Sequence, residues 1–181
     1  MLCLAAAGAT DTERPMKLAV ALLIMLFQSQ RPDVHVTSLE KAVFEQVNAE
    51  RIRARLPALQ LDPRLSDIAR AHSEDMARNN FVAHINPAGQ TPMDRLKAAG
   101  KSCMFVAENI YQNNLYHRAL TVAAQIVYEW NSESKIAMSS VRGWMDSPGH
   151  RVNILSSRAA KTGLGVAIGG DLKVYITQEF C

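Results

Sequence analysis

Three side chains stand where chemistry would be expected: His84, Glu108 and His150. Each histidine lies in a turn-forming stretch, Val82-Ala83-His84-Ile85-Asn86-Pro87 and Ser147-Pro148-Gly149-His150. A bland core histidine would instead sit on an apolar helical face. Glu108 falls in a third non-regular segment, directly before Asn109. Imidazole nitrogens and a carboxylate are zinc-compatible donors, and two histidines, one glutamate and an open water position make a catalytic-zinc pattern. The spacing is diffuse, 24 residues and then 42 more, with no H-E-x-x-H or C-x-x-C. The fold must therefore bring the three together.

Other candidates read more plainly. His72 follows Leu65, Ile68 and Ala69 and precedes Met76 at helical spacing, the place of a satisfied histidine beside the core or a cleft wall. Ser73 or Ser147 could be drawn into a triad, but no G-x-S-x-G turn and no specially placed acid support one. Gly163-Leu-Gly165 and Gly169-Gly170 precede no phosphate-binding helix. Trp130 and Trp144 each close an expected helical segment and read as core anchors.

The elements that must position these residues follow from caps and periodicity. A first helix is expected from Ser38, as cap, to about Arg55, with Val43, Phe44, Val47 and Ala54 on one side and Pro57 beyond it. Asp62-Pro63 opens a second helix running to about Asn79. Thr91-Pro92-Met93-Asp94 opens a short third, closed by Gly100. A strand is expected at Met104–Ala107, helices over 118–130 and 135–145, a turn at 147–151 and at most one helical turn after it. Leu164, Val166 and Ile168, then Val174, Ile176 and Phe180, alternate around Gly169-Gly170-Asp171 as a hairpin. Helices followed by an antiparallel hairpin make an α+β domain, and a hairpin needs further strands and helical cover.

Composition bounds the rest. With 48% hydrophobic and 20% charged residues the chain is not a disordered segment. A net charge of +3, evenly spread, gives no electrostatic footprint for nucleic acid. Residues 1–30 read as a signal-peptide region: Lys17, an apolar run from Leu18 to Phe27, then a polar exit. Met16 is an alternative start. Ten residues span about 15 Å of a hydrocarbon core roughly 30 Å thick, so a multi-span membrane protein is not expected. An N-terminal helix packed on the domain is the alternative, and an uncleaved signal would leave a membrane tether. The mature domain is 31–181, with Cys103 and Cys181 as an even pair. In an oxidising compartment they would bond, closing a loop of about 77 residues for roughly 4–5 kcal/mol; two free buried thiols are the other reading.

Several segments resemble the CAP superfamily (cysteine-rich secretory protein, antigen 5, pathogenesis-related-1) in its bacterial SCP-like form. They are Val47-Asn48-Ala49-Glu50-Arg51, Leu59–Leu65, Ala69–Ser73, Phe81-Val82-Ala83-His84, Ala107-Glu108-Asn109-Ile110, the twelve residues from Trp144 to Leu155, Gly163–Val166 and Tyr175–Phe180. They cover about residues 40–181 in the family's order.

The resemblance implies a three-layer α-β-α sandwich with a small central antiparallel sheet and an open cleft. It implies that His84, Glu108 and His150 line the cleft, where equivalent side chains of some members hold a divalent cation such as zinc. A second cleft glutamate of the eukaryotic branch has its spelling in Trp130-Asn131-Ser132-Glu133, while Trp144-Met145-Asp146-Ser147 carries serine at that distance. The expected function is a non-enzymatic binding module, secreted, periplasmic or in the cell envelope, for a lipid, small-molecule or protein ligand. The alternatives are a divalent-metal-dependent hydrolase with Glu108 as base, and a structural role with a vestigial cleft.

Overall fold

A computed structural model describes residues 30–122 and 124–181. The expected signal region, save Gln30, lies outside the described residues. Two compact units are distinguished, one of which contains Asp33–His117 and Asn131–Cys181.

That unit is built on a four-stranded sheet in the order β1-β5-β6-β2, with β1 Gln60–Leu61, β2 Ala107–Asn114, β5 Lys161–Ile168 and β6 Lys173–Phe180. β2, β6 and β5 are antiparallel neighbours, and β1 adds a two-residue parallel pairing. Helix α1 (Val36–Arg53) and helix α4 (Glu133–Asp146) cover one face; helix α2 (Pro63–Asn79) covers the other. The sheet is thus buried on both sides, the three-layer α-β-α arrangement. Helix α3 (Pro92–Ala98) packs on α2, and helix α5 (Pro148–Ile154) lies against α4 and β2.

Local signals explain the helix starts. Asp62 caps α2 by accepting from the Arg64 and Leu65 N–H groups, and Thr91 and Asp94 form a reciprocal capping box on α3. The α2 stripe buries Leu65, Ile68, Ala69, His72 and Met76 as its periodicity requires. Close approach to the sheet depends on glycine: a Cβ on Gly163 would fall 2.1 Å from the Leu65 carbonyl carbon, and one on Gly165 would fall 2.0 Å from the Arg70 nitrogen. Beyond β1, the open edge of β5 is met by side chains. Ser66 Oγ accepts from the Leu164 N–H, and Glu40 Oε1 accepts from the Val166 N–H.

Four expectations are corrected. Ser38 lies inside α1, whose cap position is His35 with no side-chain bond. The strand expected at Met104–Ala107 begins only at Ala107 and continues to Asn114. His150 lies in helix α5 rather than a turn, because Pro148 at the first helical position lets the segment wind at once. The expected helix over 118–130 is a two-stranded hairpin, β3 Tyr116–Val122 and β4 Gln125–Trp130. Its β-branched and aromatic residues prefer a pleated surface, and Ala124 at φ 63° turns the chain where a helix would need negative φ. Trp130 therefore closes a strand, stacked at 5.1 Å from Tyr128, whereas Trp144 is the fully buried anchor of α4.

Cys103 and Cys181 form a disulfide with Cα atoms 5.3 Å apart. It pins the end of β6 beside the Leu65, Ile68 and Leu96 cluster. Among the described residues no helix is long and apolar enough to cross a membrane.

Candidate functional site

Glu108 is the second residue of β2 and points to the α2 face of the sheet. Directly across the β2–β6 pair stands Glu179. The side chains of both are almost wholly buried, 1% and 0% exposed. Each Glu108 oxygen is engaged. Oε1 lies 2.7 Å from His84 Nδ1, and Oε2 accepts from Arg95 Nη2 at 2.5 Å. Arg95 extends from α3 with its side chain 8% exposed, and its Nη1 donates to the carbonyls of His84 and Gln90. The guanidinium thus ties the His84 loop, the start of α3 and β2 together.

The His84 side chain is 47% exposed although its partner is buried. A buried carboxylate fixing Nδ1 orients the ring and leaves Nε2 on the outer side, the orienting half of an acid–base pair. Burial works to raise the Glu108 pKa, but the His84 bond and the Arg95 charge outweigh it, and the group titrates below its ordinary range. Glu179 moves the opposite way. Burial first, then the adjacent Glu108 carboxylate, pushes it well above the usual glutamate value, with Arg95 opposing. The two carboxyl groups of the pair are therefore pushed in opposite directions beside one guanidinium.

His150 sits at the edge of this group. Burial, then the nearby His84, lowers its pKa. Its carbonyl accepts from Asn109 Nδ2, and Asn153 of the same helix donates to the Asn109 side-chain oxygen at 2.9 Å. Asn109 and Asn153 thus fasten α5 to β2, positioning His150. His72, on α2, is buried; its Nε2 meets the Ala83 carbonyl at 3.0 Å, and burial lowers its pKa. It anchors the loop that carries His84. Glu133 goes elsewhere: its Oε1 accepts from the His35 N–H at the entry to α1.

The structure brings His84 and Glu108 into contact and sets His150 within electrostatic reach of His84. Both Glu108 oxygens and His84 Nδ1 are taken, a guanidinium charge sits on the carboxylate, and among the described residues no three His, Cys, Asp or Glu side chains form a group that could hold a metal ion. Sequence reasoning missed Arg95 and Glu179. The signal for Glu179 is the strand register, which sets it opposite Glu108.

Arg95 and His72 also line a groove of about 520 Å³ between α2 and the loop leading into α3. Ile68, Ala71 and Ala98 give it an apolar lining, and Arg64, Arg78 and Asp67 are among its polar groups. Its volume falls within the range of small-molecule sites, roughly 300–1,000 Å³.

Comparison with known proteins places these features. The model of the cysteine-rich secretory protein family, CAP, matches residues 44–180. The uncharacterized protein YkwD of Bacillus subtilis is 34% identical over 145 residues, covering 80% of this chain and 48% of that protein. The uncharacterized membrane protein YlbC of the same organism is 30% identical, over 80% of this chain and 34% of its own length. The chain thus spans about a third to a half of these relatives. Among solved structures, an extracellular SCP-domain protein of Bacillus anthracis superposes with TM-score 0.63 at 28% identity, covering 80% of this chain and 40% of that one. An outer surface protein of Borrelia burgdorferi gives TM-score 0.64 at 16% identity, covering 83% and 97%.

Proposed function

Because the chain belongs to the cysteine-rich secretory protein (CAP) family, we propose that it is an exported, non-enzymatic binding module whose ligand is a small amphipathic anion. The observation that carries this reading is the groove beside α2. An apolar chain would lie on Ile68, Ala71 and Ala98, and an acidic head would meet Arg64 and Arg78. Asp67 bonds Arg70 Nη1 at 3.3 Å, and Asp75 is held by Asn79 and Asn86, so the rim carboxylates are already engaged. A groove of about 520 Å³ accommodates a carboxylate with a chain of about ten carbons.

The groove adjoins the His84–Glu108 pair through Arg95, so an occupied groove and the exposed imidazole would act on one ligand or one partner. Val82 and Ile85, exposed on either side of His84, extend the apolar surface there. Export is supported by the Cys103–Cys181 bond, which persists in oxidising compartments. It is supported also by the extracellular and outer-surface relatives. The signal-peptide reading of residues 1–30 and the single mature domain at 31–181 belong to the same proposal.

The test is calorimetric titration of decanoate and of uncharged decanol into the wild type, Arg78→Glu and Ala71→Asp. Saturable binding of decanoate, weakened about tenfold or more by either substitution and much weaker for decanol, is the expected result. Equal affinity of all three proteins for both probes, or no saturable binding, would reject the groove as the site.

A further inference from the structure

We propose that the loop carrying Met104 is an interfacial anchor that docks this protein on an anionic lipid bilayer, with Met104 entering the headgroup region and Arg64, Arg158 and Lys161 meeting lipid phosphates. The inference stands whatever fills the groove.

The loop runs over residues 101–106, between α3 and β2, and forms neither helix nor strand. Met104 at its tip is fully exposed, more so than any other large apolar side chain among the described residues. Its neighbours are held down. Cys103 and Val106 pack against the Leu65, Ile68 and Leu96 cluster. Phe105 lies under the Arg158 guanidinium, whose carbon is 5.0 Å from the ring centroid. The bond from Cys103 to Cys181 ties the loop covalently to the end of β6. A methionine presented to water on a pinned loop can be buried elsewhere with little further ordering of the backbone, so its apolar area is available to a partner at low entropic cost.

The surrounding charges say which partner. Arg158 is exposed above Phe105. Lys161 is exposed and joined to Cys181 by backbone bonds in both directions. On the other side Arg64 donates to the Ala99 carbonyl, two residues before Lys101. Among the described residues only Lys101 of these four cations meets a carboxylate, that of Asp62. An apolar tip flanked by three cations without acidic partners matches a surface that is anionic outside and hydrocarbon within. A soluble polyanion would use the cations and leave Met104 in water. An apolar protein face would cover Met104 and leave the cations unanswered. The four cations come from separate positions along the chain, so the even spread of charge in the sequence conceals their meeting at one loop.

The experiment is NMR of the full chain, isotopically labelled at its methionine methyl groups, with the Met104 signal assigned through Met104→Leu. Nanodiscs of phosphatidylglycerol or of phosphatidylcholine, each carrying a nitroxide on the acyl chain, are titrated in. Phosphatidylglycerol discs should broaden the Met104 signal away at low salt, and the signal should survive phosphatidylcholine discs or about 0.5 M salt. Met138, exposed on α4 at the opposite face of the sheet, and the buried Met76 should keep their signals. Arg158→Glu combined with Lys161→Glu should weaken the disc affinity read at Met104 about tenfold or more. Survival of the Met104 signal in anionic discs would overturn the proposal, as would equal broadening of Met138 or equal broadening by the two lipids. Unchanged affinity in the charge-reversed protein would overturn it as well. Should that double variant fail to fold, Arg64→Glu makes the same test from the other side of the loop, with the same two outcomes.

Discussion

At the scale of single residues, buried ionisable groups have opposite consequences for stability. Glu179 is held above the ordinary value of 4.5 by burial and by Glu108, so folding favours its proton. Its contribution is present below the unfolded value and is lost as pH rises toward the folded one. Glu179→Gln should therefore stabilise the protein at pH 7–8 and have little effect near pH 4, as read by urea denaturation at the two pH values. His72 and His150 run the other way. Both titrate below 6.5 when folded, so unfolding is favoured as pH falls below 6.5, with a slope of up to about 1.4 kcal/mol per pH unit for each group. Asparagine at position 72 should flatten the acid limb between pH 6.5 and 5. Arg51 was unmarked in the sequence because arginine in an exposed-looking helix end reads as surface. It is instead fully buried, donating to the carbonyls of Pro57, Ile154, Ser156 and Ala159. Arg51→Met should cost on the order of 3 kcal/mol, because those carbonyls lose a charged donor. His84, Glu108 and His150 were legible as candidates from residue type and family likeness. Arg95 and Glu179 were not, since their roles exist only across α3 and the β2–β6 register.

At the scale of elements, helix starts were readable wherever a cap stood next to proline, as at Asp62-Pro63 and Thr91-Pro92. The hairpin formed by β3 and β4 was not. Val122, Ile126, Val127 and Trp130 satisfy helical spacing by coincidence, while the deciding feature is a positive φ at Ala124 that no turn residue announces. The chain leaves β2 at Asn114 and returns at Asn131, whose N–H bonds the Leu115 carbonyl and whose side chain bonds the Asn114 carbonyl. The close contact of α2 with β5 makes Gly165 decisive. Gly165→Ala would drive a methyl group into the Arg70 backbone and should destabilise by about 1–3 kcal/mol or more, measured by the shift in urea midpoint at unchanged m-value.

At the scale of the whole molecule, the unit containing the site is closed by one covalent bond between residues 78 apart. Replacing Cys103 and Cys181 together with serine should lower unfolding stability by about 4 kcal/mol in the chain-entropy model. The same unit carries an oriented, half-exposed histidine beside a groove with an apolar lining and arginines at its rim, which is why binding rather than turnover is its proposed work. The most direct measurement is NMR of the isotopically labelled protein titrated with decanoate. The account predicts shifts concentrated at the methyl groups of Ile68, Ala71 and Ala98 and at the side-chain nitrogens of Arg64 and Arg78, saturating together. Shifts confined to other surfaces, or none at a saturating decanoate concentration, would contradict it.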